Sequence, residues 1–420
     1  MPRKQFKLIV IGLIVAFLIS FCQHFSSDRL ENQPITIKLS GWGDPIERRL
    51  LQEVIQNFET THPNIKVKYE VISEQYMDVI QARLIGNAAP DVFYLDAIQA
   101  PLLMNKNVLE PLESYITPAF ELTDFEENFL SPFKNNNHIY GLPKDYSTLA
   151  LFYNKKAFFT EGLNHPPQTW DELLTYSKRL TVDRNGDGKS DQYGLGVTPE
   201  LARLSYMIKA YGGQVVNQSG YAKFASEESL AGLRLVVEQY QERTSVRASD
   251  VGAKSGGEML GRGKVAMVIE GSWVIPFLHE NFPQMEFATA EVPRINDRSG
   301  TMMLTVAYVM NRESKHKQAA WELISYLTSS QGMTKWASSG LVLPTRRSVA
   351  EKLGYDRDPL RTAFIAGVNY ATTWQIGQHP ALVMNNFNNQ FFSALLGEQP
   401  LAQAMKRAED EANEQIQAQK

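Results

Sequence analysis

The chain has 420 residues, too many for one ordinary core and suited to two domains or to one body split by crossovers. Its 43% hydrophobic and 21% charged composition, with slightly negative mean hydropathy, excludes a polytopic membrane protein. A formal charge of −4 with no dense Lys/Arg cluster argues against a nucleic-acid partner.

Residues 1–22 read as a secretory leader. Arg3, Lys4 and Lys7 form a cationic start, and Leu8 to Phe21 is an uncharged apolar run. As a helix that run spans about 21 Å, short of a hydrocarbon core of about 30 Å. Cys22, the only cysteine, ends it in Leu18-Ile19-Ser20-Phe21-Cys22, which is read as a lipobox whose cysteine carries lipid. Phe21 departs from the small residue usual before such a cysteine, and cleavage elsewhere or a retained signal anchor are the alternatives. No intrachain disulfide can form, so the fold depends on its core. Polar residues 23–33 read as a tether.

Beyond the tether, strand and helix signals alternate. Ile35, Ile37 and Leu39 alternate with polar residues, and Ile46, Leu50, Val54 and Phe58 then fall at helical spacing. Asp44, Pro45 and Glu47 supply a cap, a first-turn proline and a capping-box acid. Ile65 to Ile72 returns to strand, Tyr76 to Ile85 to helix, and Asp91 to Leu95 is a short strand closed by Asp96. This rhythm predicts an α/β layer with a largely parallel sheet. Further on, Ala150–Tyr153, Val265–Ile269 and Thr301–Met310 read as strands. Thr169 to Leu180, Leu201 to Tyr211, Glu227 to Tyr240 and the stretch through Trp321, Ile324 and Leu327 read as helices, as does much of the C-terminal part.

No HExxH, GxSxG or CxxC pattern occurs, and the seven histidines show no metal-ligand spacing. Gly257 to Lys264 fails as a phosphate loop: its glycine spacing is too long, and Val265 stands where a magnesium-holding hydroxyl belongs. What does recur is aromatics and carboxylates at strand ends: Trp42 and Asp44, Tyr94 and Asp96, Asp145 and Tyr146, and Trp273 after Glu270. Ligands of open α/β sheets bind there. Aromatic rings cover the C–H faces of a sugar, and carboxylates bond its hydroxyls. Each residue also has a plain structural reading, as a helix cap (Asp44, Glu47, Asp96) or a core aromatic (Tyr94, Trp273). Asp183, Asn185, Asp187, Lys189 (through its carbonyl) and Asp191 match the first half of a structural calcium loop, although Gly194 replaces the closing Glu. A polar Asn/Gly turn has the same composition.

Ala89-Pro90-Asp91-Val92, Tyr140-Gly141-Leu142-Pro143, Leu151-Phe152-Tyr153-Asn154, Pro167 to Leu173, Gly263 to Met267 with Gly271-Ser272-Trp273, and Leu343-Pro344-Thr345-Arg346 are individually weak motifs but specific in order and spacing. Through them the chain resembles the family 1 extracellular solute-binding proteins of carbohydrate ABC importers. The resemblance implies a two-lobed periplasmic-binding-protein fold (type II), with an N-terminal lobe of 34–147 plus 305–338 and a C-terminal lobe of 148–304 plus 339–420. It implies a monomer at the extracytoplasmic membrane face that closes on a neutral oligosaccharide or glycoside and delivers it to membrane permease subunits, without catalysis and without a required cofactor. It places Trp42, Asp44, Glu47 and Asp96 on one side of the cleft and Asp145 and Tyr146 near a crossover. Trp273 matches the stacking aromatic of the C-terminal lobe, Arg346 an arginine that reaches sugar hydroxyls, and Tyr211 a further contact. Many relatives carry a glycine pair and an aromatic near residue 305. Here Met303-Leu304-Thr305 stands there, with Tyr308 following. No lysine or arginine cluster joins these residues, which favours a neutral sugar over a phosphorylated one. The alternatives are a secreted glycoside hydrolase, which also needs paired carboxylates, and a sugar-sensing partner of a membrane receptor.

Overall fold

The structure is a computed structural model that describes residues 34–43 and 45–419. The leader with Cys22, the tether, and Asp44 lie outside the described residues. Strands β1 (Ile35–Gly41), β2 (Ile65–Val71) and β3 (Val92–Asp96) alternate with the helices Pro45–Thr61 and Tyr76–Ile85. After the short hairpin of β4 (Lys134–Asn135) and β5 (His138–Ile139) comes the 14-residue β6 (Gly141–Asn154). Then follow β7 (Tyr193–Val197), β8 (Ser245–Arg247), β9 (Val265–Gly271), β10 (Phe287–Ala290), β11 (Thr301–Met310) and β12 (Ala371–Thr373).

The main strand order is β2-β1-β3-β11-β6-β9-β7-β8, with β10 on β6 and β12 on β11. Pairing is parallel toward both ends but antiparallel for β3–β11, β11–β6 and β6–β9. The largely parallel sheet expected from the alternating rhythm is therefore a mixed one. The cause is the pair β6 and β11, which cross between lobes in opposite directions, and two strands running out and back must pair antiparallel. Only the last third of β6 is legible as a strand in the sequence, because Pro143, Lys144 and Asp145 interrupt its apolar pattern.

Separate cores lie on either side of these crossovers. The first lobe's core takes in Leu142 of β6, Ala307 to Met310 of β11 and the helix Lys317–Leu327, and it extends to Val349. The second lobe has two apolar clusters, one including Leu149 and Leu151 of β6 and the C-terminal helices, the other Ala150, Phe152 and Phe364. The helix Trp170–Leu180 shows how local sequence sets an element. The Thr169 hydroxyl accepts from the Glu172 amide (3.3 Å), and the Glu172 carboxylate accepts from the Gln168 amide (2.7 Å). Such an N-cap stabilises a helix start by about 1 kcal/mol. Among the described residues no helix is long and apolar enough to cross a membrane.

Candidate functional site

The crossover strand carries the centre of the site. Opposite β11, Val306 pairs with Asp145 but Ala307 pairs with Pro143, so Lys144 is the extra residue of a β-bulge. A bulge breaks the alternation of side chains and re-aims them. Here the Lys144 ammonium donates to the Asp145 carboxylate beside it in sequence. The ammonium also lies over the rings of Tyr94 (4.7 Å) and Trp336 (4.5 Å). Trp336, on the helix Ser330–Ala337, donates its indole N–H to Asp145 Oδ2 at 3.0 Å. Both charges are buried, and a buried pair requires such additional bonds to offset its desolvation.

On its other edge, Val306 pairs with Asp96, which closes β3. The Asp96 carboxylate accepts no hydrogen bond among the described residues. Burial pushes its pKa up to about 7; the Lys144 cation opposes that rise and the Asp145 charge adds to it. At the tip of β1, half-buried Trp42 packs edge-on against Tyr76 (4.8 Å) and Tyr94 (5.1 Å). Glu47 folds back so far that a Cβ on Gly43 would come within 2.7 Å of its carboxylate, which suits a helix-start acid.

Asp145 and Ser147 are two residues apart on β6 and so share a face of the strand. The Ser147 hydroxyl accepts from the Ser272 amide at 2.9 Å, which brings the end of β9 to the same stretch. Trp273 stands there 38% exposed, the one tryptophan among the exposed large hydrophobic residues. The Arg203 guanidinium, from the helix Leu201–Ala210, lies 5.0 Å from its ring centre. Arg203 pairs with Glu270 at 3.2 Å, and Thr198 donates to the other Glu270 oxygen at 3.4 Å. Burial raises the Glu270 pKa, against the lowering influence of Arg203. The indole rests so close to Gly271 that a Cβ there would meet it at 2.1 Å.

Several sequence expectations need correction. Arg346, expected to reach sugar hydroxyls, is instead engaged within the fold. It is 2% exposed, its Nε donates to the Thr328 carbonyl (2.6 Å), and its terminal nitrogens donate to the carbonyls of Phe120 (2.8 Å) and Glu121 (3.2 Å) and to Asp124 (3.3 Å). It lies on the rings of Phe120 and Phe125, so it ties residues 120–124 to the helices after β11. Tyr146 is a core residue stacked on Phe129 at 4.2 Å, and Tyr308 is buried against Tyr94 at 5.3 Å. Tyr211 ends the helix Leu201–Ala210, half-buried against the second lobe's core.

The residues of the calcium reading lie in an exposed turn whose side-chain oxygens accept its own backbone amides. Both Asp183 oxygens accept backbone amides (Gly186 and Gly188, 2.8 Å each), Asn185 accepts from the Asp187 amide, Asp187 from that of Lys189, and Asp191 from that of Arg184. The oxygens close the turn on itself. Among the described residues no three His, Cys, Asp or Glu side chains are placed to hold a metal.

Lys144, Trp336 and Arg203 join the site without any sequence expectation, and Glu270, named only as the strand end before Trp273, joins as the partner of Arg203. The Lys-Asp step beside Pro143 is the one signal that could have found Lys144. Trp336 and Arg203 arrive from distant helices, and nothing local marks them. Although two cations enter the site, each is matched by a carboxylate.

A bulged crossover strand between two α/β lobes, with an exposed tryptophan and a free carboxylate flanking it, defines a two-lobed binding protein. A family model described as bacterial extracellular solute-binding protein matches residues 42–334, and the chain belongs to that family. Among its relatives, the multiple sugar-binding protein of Streptococcus mutans is 21% identical over 93% of this chain and 92% of its own length. The maltotriose-binding protein of Pyrococcus abyssi is 22% identical over 78% and 70%. Of solved structures, an ABC substrate-binding protein from Listeria monocytogenes in complex with cycloalternan superposes with a TM-score of 0.82 at 20% identity, covering 91% of this chain and 99% of that one. A solute-binding protein from Thermotoga lettingae bound with α-D-tagatose gives 0.76 at 26% identity, covering 91% and 99%.

Proposed function

We propose that the chain is the substrate-binding subunit of a carbohydrate ABC importer, acting as a monomer outside the cytoplasmic membrane, with Cys22 as the point of a lipid anchor. The observation that carries this reading is the pairing of charges. Lys144 is held by Asp145 and Arg203 by Glu270, so neither of these two cations is left unmatched for an anionic ligand. What stays open is an aromatic surface on Trp273 and the Asp96 carboxylate, which suit the C–H face and a hydroxyl of a neutral sugar. Names of relatives that specify sugars support the same class. Closure of the lobes buries the sugar, so stacking and hydrogen bonds act away from water.

Capture without chemical conversion is part of the reading. A glycosidase needs two carboxyls flanking one bond, one a proton donor and one free to attack or activate water. Here Asp145 is engaged by Lys144 and Trp336, which leaves Asp96 without such a partner. A thermal-shift screen across neutral oligosaccharides tests the function, since a tight ligand raises Tm by mass action. No shift with any sugar overturns the carbohydrate assignment, and release of product from a glycoside overturns the absence of catalysis.

A further inference from the structure

We infer that Arg203, held by Glu270, is a positioning residue that fixes the indole plane of Trp273 and so sets sugar affinity without touching the sugar. The inference rests on the carbohydrate reading for its consequence, but its geometry stands independently.

Trp273 lies just beyond β9 on no regular strand, and more than a third of it is exposed. An aromatic in that position keeps two rotatable side-chain bonds unless something holds it. Two contacts do so. Gly271 leaves room for the six-membered ring to lie against the backbone, a seat that even a methyl group would fill. The guanidinium of Arg203 stacks on the ring at 5.0 Å, within the range of a cation–π contact. Arg203 is in turn fixed by Glu270, and Glu270 is confined by the Thr198 hydroxyl and by Gly256, where a Cβ would fall 2.6 Å from its carboxylate.

This chain of contacts is costly to maintain. Arg203 NH1 is enclosed without a hydrogen-bond partner among the described residues, and Glu270 Oε2 meets the guanidinium only as an ion pair at 3.2 Å. A pair placed only to stabilise the lobe would be better satisfied, because an orphaned buried donor or acceptor is destabilising. Here the arginine faces an aromatic ring that is itself exposed. That arrangement is explained by a demand on the ring's orientation, since stacking against a pyranose requires a plane fixed before the ligand arrives.

The full chain labelled with 5-fluorotryptophan tests this by fluorine NMR, with Trp273→Phe assigning the resonance among six tryptophans. Arg203→Met is expected to shift or broaden the Trp273 signal before sugar is added and to leave the other signals in place. Maltotriose and mannotriose titrated calorimetrically should bind about tenfold more weakly to this variant, the scale of a partly desolvated cation–π contact. In a Trp273→Ala background the same substitution should cost nothing further. If the unpaired Glu270 destabilises Arg203→Met, the double variant Arg203→Met/Glu270→Gln removes both charges and is read in the same way. An unmoved Trp273 signal, or an equal loss of affinity with and without the indole, overturns the inference. A wild-type chain that binds neither these sugars nor any of a wider neutral panel instead refutes the carbohydrate reading, and the NMR signal still decides the clamp.

Discussion

Replacing Asp96 with Asn tests whether a carboxylate is held at the crossover against its own preference for water. In the folded chain its pKa is about 7, raised by burial from an ordinary 3.8. Between those limits the folded state holds a proton that the unfolded state has released. Stability therefore falls as pH rises from about 4 to about 7, and the full penalty is present above that window. At about 1.4 kcal/mol for each tenfold change, the difference amounts to at most about 4 kcal/mol, and about 2 kcal/mol allowing for the residue's partial exposure to solvent. Asn has nearly the same shape and no charge to desolvate. Asp96→Asn should thus match the wild type in urea unfolding at pH 4 and exceed it by about 2 kcal/mol at pH 8. Parallel stability curves across pH 4–8 would refute the reasoning, since they would mean that Asp96 is solvated like any surface carboxylate.

The same carboxylate should couple binding to protons: if a sugar hydroxyl donates to it, binding near pH 6.5 releases a proton, detected as a calorimetric heat that varies with the buffer's ionisation enthalpy. Trp273→Ala should weaken sugar binding by at least about 30-fold, as an aromatic anchor does, while costing only about 1–2 kcal/mol in urea unfolding because more than a third of the residue is exposed. Gly271→Ala should reproduce much of that loss by displacing the indole from its seat. Arg346→Met should destabilise the fold by about 3–5 kcal/mol through the carbonyls and the Asp124 carboxylate it abandons, yet leave the dissociation constant of the folded fraction unchanged. Trp336→Phe should cost about 1.5–3 kcal/mol for the lost bond to an ionised Asp145.

Which parts of the molecule were legible from sequence follows from how local their causes are. The helix Tyr76–Ile85 and the strand near Thr301–Met310 are legible because their apolar period lies within the element itself. Trp42, Asp96 and Trp273 were reachable because strand ends are marked by sequence and the sheet gathers them. β6 was mostly missed. Its first half owes its strand character to β11 alongside, and its bulge is visible only as a pairing offset across two strands. Arg346 shows the opposite failure: a motif residue carries an identity across a family, but its side chain answers to whatever carbonyls stand nearby, here those of residues 120, 121 and 328.

The bulge connects these points. Without the extra residue, Lys144 and Asp145 would face opposite sides of β6, and the ammonium could not neutralise the carboxylate next to it. Asp145 would then add its full charge to the neighbourhood of Asp96, and two unpaired carboxylates flanking Val306 would resist burial or invite a cation. With the bulge, one carboxylate is matched and held by an indole, and the other stays free at the crossover. That leaves the Asp96 acceptor on one side of β6 and an aromatic platform, with its own charges paired, on the other. A neutral polyhydroxylated ring suits that combination. A phosphorylated one would need a cation that neither Lys144 nor Arg203 is free to supply.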